Sequence, residues 1–235
     1  MMMEVVYVAV AALSLLSVGQ SAPVTSCETL IQPVVIQGRD QLLGKWIYIA
    51  ESTTFPGSRL LTDRFLESGW GKTTAANESD AINHYQVQKM FGRCFSVRTK
   101  LTLQNSTLYM VKPYSSAVTL LNTGCFDCLV FHSRFTLGGS TYIGLQLLSR
   151  RSGVSVAEKE EFIKQVECLN LPAAAFMDPE KGLCPDDSLA EESETTDLSS
   201  AIEDMSSKVL SVLGDIANSE GGMETLIKQI SRGRA

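Results

Sequence analysis

The most informative segment of the sequence is Gly44-Lys45-Trp46-Ile47-Tyr48-Ile49-Ala50. It predicts a β-strand in which Trp46 and Tyr48 share one face, because successive side chains of a strand point to opposite sides. This strand is the first of a series of short strands, and one helix follows far downstream and ends at Cys168. The order predicts a single β-structure that is completed by one helix.

Further stretches rich in β-branched and aromatic residues predict the other strands of this series. They cover residues 83–90, 94–103, 107–112, 117–122, 128–134 and 141–149. Turn signals are expected at Gly69-Trp70-Gly71, Phe91-Gly92-Arg93, Lys112-Pro113, Asn122-Thr123-Gly124 and Gly138-Gly139. A meander exposes its edges unless it closes, and an eight-stranded antiparallel up-and-down barrel closes while leaving room for one small ligand. We therefore predict an all-β fold of this kind.

The helix after these strands has clear start and stop signals. Ser155 and Glu158 have the spacing of a capping box, and Pro172 ends the segment. Its apolar stripe comprises Phe162, Ile163, Val166 and Leu169. A stripe of this width predicts a helix packed on the sheet.

The N-terminus indicates the compartment. Residues 5–18 form an apolar run of fourteen, shorter than the roughly 20 residues of a membrane-spanning helix. Small residues near its end favour a signal peptide over residues 1–19, cleaved after Gly19 because Pro23 disfavours a cut after Ala22. We expect a secreted, extracellular protein.

Composition and charge limit the partners. The chain has 235 residues, a hydrophobic fraction of 44% and a formal net charge of −6 at pH 7. This is ample apolar content for one packed domain plus an appendage. An acidic chain lacks the basic face that phosphates require, so we expect no nucleic-acid partner.

The chain contains six cysteines, an even number that favours disulfides in a secreted protein. They are Cys27, Cys94, Cys125, Cys128, Cys168 and Cys184. Six cysteines allow fifteen pairings, and spacing alone does not choose among them. Zinc and redox sites are disfavoured, because the chain has a single CxxC, its two histidines stand apart, and no strand-to-helix redox context surrounds the motif. We expect no metal and no cofactor.

Two sequons support secretion. Asn77-Glu78-Ser79 and Asn105-Ser106-Thr107 both lie in polar stretches between predicted strands. We predict N-glycosylation at Asn77 and Asn105.

The C-terminal region differs from the rest in composition. Residues 186–197 include six acidic and no basic residues, which predicts a solvated linker after a barrel domain at 20–185. A tail at 198–235 follows, with an apolar stripe of helical spacing at Leu198, Ile202, Met205, Val209, Val212 and Ile216. Such an amphipathic helix either folds onto its own barrel or binds a lipoprotein, a membrane surface or another protein.

Residues 27–184 resemble the lipocalin family. Leu43 to Ala50 looks like the opening strand of α1-acid glycoprotein (orosomucoid), Glu161 to Pro172 like its closing helix, and Asp178 to Pro185 like its final segment. Both sequons fall where orosomucoid carries sequons, and apolipoprotein M is a more distant match. Gly124 to Phe131 is closer to the saxitoxin- and tetrodotoxin-binding plasma glycoproteins of fish.

The resemblance implies three disulfides and a packing role for one arginine. The implied pairs are Cys27–Cys168, Cys94–Cys184 and Cys125–Cys128. In many lipocalins an arginine packs on the tryptophan of the opening strand. Arg150 and Arg151 are both candidates for that role here.

Strand alternation and the resemblance together predict which residues face the ligand. By resemblance the face of Trp46 and Tyr48 is interior, with Trp46 closing one end of the barrel and Tyr48 contacting ligand. The full predicted set is Trp46, Tyr48, Tyr85, Val87, Met110, Phe131, Gln146 and Leu148. Gln146 and Leu148 are included because they match pocket positions of orosomucoid.

These features predict a secreted carrier of a small lipophilic or amphipathic molecule such as a lipid, steroid or toxin. The alternative is a protein that acts through its tail helix on a lipoprotein surface or a protein partner. We predict no enzymatic activity. No Ser-His-Asp order, phosphate loop or metal signature is visible, and the implied disulfides leave no free thiol.

Overall fold

The structure, a computed structural model, describes residues 26–112, 114–186, 195–203, 215–216, 218–222 and 224–225. The predicted signal peptide at 1–19 lies outside the described residues. So do residues 187–194 of the predicted linker and residues 204–214 of the predicted tail helix.

Eight antiparallel strands form a closed barrel, as predicted. They are β1 Gly44–Thr53, β2 Leu66–Ala75, β3 Ala81–Met90, β4 Arg93–Gln104, β5 Thr107–Met110, β6 Ser115–Leu121, β7 Cys128–Leu137 and β8 Ser140–Ser149. Each strand pairs with the next along the chain, and β1 also pairs with β8, so the sheet closes on itself. Two short strands add to it: β9 (Ala175–Phe176) pairs with β1, and β10 (Thr196–Asp197) pairs with β4.

The turn predicted at Gly69-Trp70-Gly71 is wrong, because these residues lie in the middle of β2. Trp70 is fully buried on the outer face of the strand. On the inner face, a Cβ added to Gly71 would lie 2.5 Å from His84 Cε1. The glycine marks a close approach of neighbouring side chains rather than a reversal of the chain.

Four short or medium helices accompany the barrel within the described ranges. They are α1 Cys27–Leu30, α2 Ser58–Arg64, α3 Val156–Cys168 and α4 Ser199–Glu203. Two 3-10 segments, Arg39–Leu42 and Pro179–Lys181, complete the set. Among the helices of the described residues, none has the length and apolar character of a membrane-spanning segment.

The predicted capping box begins α3. The Ser155 hydroxyl accepts a hydrogen bond from the Glu158 amide at 3.3 Å, and the Glu158 carboxylate accepts one from the Ser155 amide at 2.6 Å. Phe162 and Val166 are buried as expected. Ile163 is 39% exposed, contrary to the predicted stripe, because it lies about 100° around the helix from Phe162.

The largest apolar cluster lies between α3 and the outer wall of the barrel, not inside the barrel. Its buried members include Ile49, Leu121, Val130, Leu145, Leu147, Phe162 and Val166. Burial of these side chains supplies hydrophobic stabilisation without filling the barrel interior. The interior therefore remains available for a ligand.

All three implied disulfides are present. Cys27–Cys168 joins α1 to the end of α3 with a Cα–Cα distance of 5.4 Å. Cys94–Cys184 ties the segment after α3 to β4 at 5.9 Å, and Cys125–Cys128 closes the loop between β6 and β7. No cysteine of the described chain is free.

The described C-terminal end of the predicted linker is not simply solvated. Thr195 is 7% exposed, and Thr196 and Asp197 pair in parallel with Phe95 and Ser96 of β4. The Leu198 amide continues this pairing with a 2.8 Å hydrogen bond to the Ser96 carbonyl. The acidic composition does not predict this contact, because its hydrogen bonds are made by the backbone and do not depend on the side chains.

Candidate ligand cavity

The barrel encloses a cavity of about 640 Å³. Side chains from all eight barrel strands contribute to its wall. The volume falls within the range of sites that enclose drug-sized ligands.

Trp46 closes one end of this cavity. Its indole Nε1 donates a hydrogen bond to the Leu42 carbonyl at 2.9 Å, and Leu42 is buried in the 3-10 segment below it. The Arg150 guanidinium lies over the Trp46 ring, 3.4 Å from its centroid. Of the two candidate arginines, Arg150 is therefore the one that packs on the tryptophan.

Arg151 has a different role. It donates to the carboxylates of Asp127 at 2.7 Å and Glu158 at 2.8 Å, joining the loop after β6 to the start of α3. This hydrogen bond from Arg151 holds the pKa of the Asp127 carboxyl below its usual range. Cys125, Asp127, Cys128 and Glu158 lie close enough together to resemble a metal site. Their cysteines are joined in a disulfide and Arg151 already forms ion pairs with both carboxylates, so this cluster does not fit a metal ion.

A polar group lies on the cavity wall between β1, β2 and β3. Tyr48 Oη is 3.0 Å from His84 Nε2, and Thr73 Oγ1 is 3.1 Å from His84 Nδ1. The barrel surrounds His84, and desolvation lowers its pKa to about 4. Burial likewise raises the pKa of the Tyr48 phenol above its usual range. At neutral pH both groups are uncharged hydrogen-bonding partners.

The remaining polar wall residues are mostly neutral. The amides are Gln86, Gln88 and Gln146. Glu51 supplies one carboxylate, which accepts a hydrogen bond from the Thr62 hydroxyl on α2. No lysine or arginine is among the described residues that line the cavity.

Aromatic rings surround the other end of the cavity. Phe135 lies 6.0 Å from Tyr114 and 5.5 Å from Tyr142, measured between ring centroids. Phe55, in the connection between β1 and β2, meets Tyr142 edge-on at 5.1 Å. Burial raises the pKa of the Tyr114 phenol, so this group is uncharged at neutral pH.

Six of the eight residues predicted to face the ligand line the cavity. They are Trp46, Tyr48, Met110, Phe131, Gln146 and Leu148. The prediction that Tyr85 and Val87 face inward is corrected, because both lie on the outer side of β3. There they are buried with Trp70 and Cys184 beneath the segment that follows α3. Arg98 also covers the Tyr85 ring, with its guanidinium carbon 4.3 Å from the ring centroid.

Several wall residues were missed in the sequence. His84, Gln86 and Gln88 occupy the inner positions of β3, with the opposite alternation to the one predicted. The inward position of Phe135 could be predicted from Phe131, because residues four apart on a strand lie on the same face. Glu51 has no such signal, because a register shift between Tyr48 and Ala50 changes the face on which the later residues of β1 lie.

Of the comparisons with known proteins, the one with solved structures supports the fold. No protein-family model matches the sequence, and no curated protein matches it. Among solved structures, the chain is similar to the siderocalin Ex-FABP, with a TM-score of 0.52 and 16% sequence identity over 58% of this chain and 93% of that chain. That protein is described as functioning through dual ligand specificities. The closed eight-stranded barrel of this chain has the lipocalin fold.

Proposed function

We propose that this protein is a secreted carrier that holds one small, largely apolar molecule in its barrel. The observation that supports this most is the cavity of about 640 Å³, whose wall combines aromatic and aliphatic side chains with a few polar groups. Concave sites of this composition orient a ligand through their polar groups and hold it through apolar contact. The resemblance to orosomucoid, apolipoprotein M and the fish toxin-binding proteins supports the same class of function.

The charges of the wall restrict the ligand. An anionic ligand would lose hydration and meet no described lysine or arginine in return, and a buried unpaired charge is costly. It would also share the cavity with the Glu51 carboxylate. Neutral ligands, or amphipathic ones with a positive group, are therefore favoured over fatty acids. Steroid-like and toxin-like molecules fit this description.

Secretion and glycosylation belong to the same proposal. Three disulfides suit an oxidising compartment. Asn77, between β2 and β3, and Asn105, between β4 and β5, are both exposed and accessible to glycan transfer. Action of the tail helix on a lipoprotein or protein surface stays a prediction, because most of that helix lies outside the described residues.

Native mass spectrometry of protein secreted by eukaryotic cells tests the proposal. We expect the folded chain to carry one non-covalently bound small molecule, and the ligand-free protein to bind neutral N-phenyl-1-naphthylamine more tightly than palmitate. Tighter binding of palmitate would contradict the charge argument. Absence of any bound compound together with failure to bind the neutral probe would contradict the carrier function.

A further inference from the structure

The pairing of β4 with β5 covers only a small part of β4. β4 spans Arg93–Gln104, but it pairs with β5 only from Thr102 to Gln104. Among the described residues, no barrel strand pairs with the earlier part of the same β4 edge, which lies near the aromatic end of the cavity. An unpaired edge exposes backbone hydrogen-bonding groups and here also opens the side of the cavity.

Residues 195–199, which we call the closing segment, cover part of this edge. Thr196 and Asp197 lie beside Phe95 and Ser96 in parallel register. The Arg98 amide donates to the Ser199 hydroxyl at 2.8 Å, one step further along the strand. The closing segment thus overlaps the end of the acidic stretch in sequence but pairs with the barrel in space.

Leu198 is the residue of the closing segment that reaches the ligand space. It lines the cavity together with Phe95 and Val97 of β4. One side of the cavity therefore depends on a residue that is more than ninety positions away along the chain from its β4 neighbours.

Backbone pairing of Thr196 and Asp197 and the hydrogen bonds of Leu198 and Ser199 join the closing segment to β4. An ion pair also joins Arg98 Nε to Asp197 Oδ2 at 3.5 Å, and both side chains are about half exposed. Exposed ion pairs contribute little to stability, and a two-residue strand on a sheet edge opens more readily than the barrel strands. A wall element of this kind can leave while the rest of the barrel stays folded.

The tail also contacts the opposite side of the same end. Asn218 Nδ2 donates to Tyr142 Oη at 2.8 Å and to Ser140 Oγ at 3.2 Å. Both residues belong to β8, which is four strands from β4 in either direction around the barrel. Described parts of the tail therefore contact two facing sides of the aromatic rim.

We propose that the closing segment is a gate for the ligand: it completes the cavity wall when paired with β4, and a ligand enters and leaves when it separates. This rests on the proposed carrier function and adds a path and a rate-determining element to it. A gate slows entry and exit together, whereas an ordinary contact residue affects mainly exit. The two roles are therefore distinguishable by kinetics.

The test uses the full chain and N-phenyl-1-naphthylamine in stopped-flow fluorescence. Leu198→Pro replaces the leucine side chain with a smaller ring and removes the N–H that binds the Ser96 carbonyl, while Leu198→Ala shortens the side chain and keeps the N–H. Ser200→Ala, at an exposed position directly after the closing segment, is the matched control. We expect Leu198→Pro to raise the association and dissociation rate constants at least about fivefold, with a smaller change in Kd. Leu198→Ala should have a weaker effect and Ser200→Ala none.

Two results would overturn the gate. Unchanged rate constants in Leu198→Pro would show that ligands use another path, and a faster dissociation with unchanged association would make Leu198 an ordinary wall contact. If Leu198→Pro fails to fold, as judged by near-ultraviolet circular dichroism, Leu198→Ala and Arg98→Ala decide by the same criterion. Failure of the unaltered chain to bind the probe would instead remove the carrier function, and the gate with it.

Discussion

The Arg150 guanidinium lies 3.4 Å from the centre of the Trp46 indole ring and donates hydrogen bonds to the carbonyls of Leu43 at 2.6 Å and Lys45 at 2.7 Å. One side chain thus joins the end of β8 to the start of β1 across the closed end of the barrel. Gly44 permits this approach, because a Cβ there would lie 2.7 Å from Arg150 Nη1. The arrangement fixes the floor of the cavity.

Replacement of Arg150 should therefore lower the free energy of unfolding more than replacement of Arg151. We expect Arg150→Ala to lower the free energy of unfolding by about 2–3 kcal/mol, because it loses the ring contact and two hydrogen bonds. Arg150→Lys should recover only part of this, since an ammonium lacks the planar fork of donors. Arg151→Ala, which loses the ion pairs to Asp127 and Glu158 but no contact with the barrel floor, is the comparison and should lower the free energy of unfolding less. Urea denaturation measures all three, and equal losses at 150 and 151 would contradict the assignment.

Gly71, on the inner face of β2, should also tolerate substitution poorly. A Cβ at Gly71 would lie 2.5 Å from His84 Cε1 and 3.2 Å from Tyr48 Oη. We expect Gly71→Ala to lower the free energy of unfolding by about 1–3 kcal/mol and to weaken probe binding, because both rings must shift into the cavity. Gly153→Ala is the control, since a Cβ there meets nothing within 4 Å. A fully stable Gly71→Ala with unchanged affinity would show that the polar group is not held as described.

Comparison of β2, which contains Gly69 and Gly71, with the other elements shows which parts of the fold the sequence predicts. The closed barrel, the capping box of α3 and the alternation along β7 were predictable, since each depends on residues close together in the chain. β2 was not, because Gly69 and Gly71 are typical of turns, and only their inward neighbours His84 and Tyr48 explain them. Local sequence does not carry that information.

The alternation of β3 was misassigned for a related reason. Apolar residues were expected to face inward, but the outer face of β3 is also buried, beneath the segment held by Cys184. Tyr85 and Val87 take that face, and His84, Gln86 and Gln88 turn to the cavity. When both faces of a strand are covered, polarity no longer tells inside from outside. The contact of residues 195–198 with β4 was hidden in the same way by their acidic surroundings.

The long-range disulfide Cys94–Cys184 should stabilise the fold more than the local one. On the loop-entropy model its separation of 90 residues corresponds to about 4–5 kcal/mol, and the three-residue separation of Cys125–Cys128 to about 2 kcal/mol. We expect the Cys94→Ser/Cys184→Ser chain to unfold at markedly lower urea than the Cys125→Ser/Cys128→Ser chain. The reverse order would indicate that the loop after β6 depends on its disulfide for more than chain entropy.

His84 should make stability depend on pH. Its pKa in the folded protein is about 4, below the ordinary value of 6.5. Between these values the unfolded chain binds more protons than the folded one, so stability falls as the pH falls from 6.5 to 4. The loss is at most roughly 3 kcal/mol, and water in the cavity would reduce it.

The His84→Gln chain isolates this effect, because other groups titrate in the same window. His132 has a pKa lowered by desolvation and by Arg134, which adds a loss of the same sign in both proteins. We expect the unfolding free energy of the unaltered chain to fall relative to that of His84→Gln on acidification from pH 6.5 to 4. A difference that stays constant over this range would place His84 in a hydrated, exposed environment.

The central claim is that the barrel interior holds the ligand, and a titration of cavity-filling variants tests it most directly. Val118 lines the cavity, whereas the adjacent Ala117 is not among the lining residues. Equilibrium fluorescence titration with N-phenyl-1-naphthylamine should show one site per chain in the unaltered protein and in Ala117→Trp, and at least about tenfold weaker binding in folded Val118→Trp. Equal affinity in all three folded proteins would contradict the account, because the probe would then bind outside the barrel.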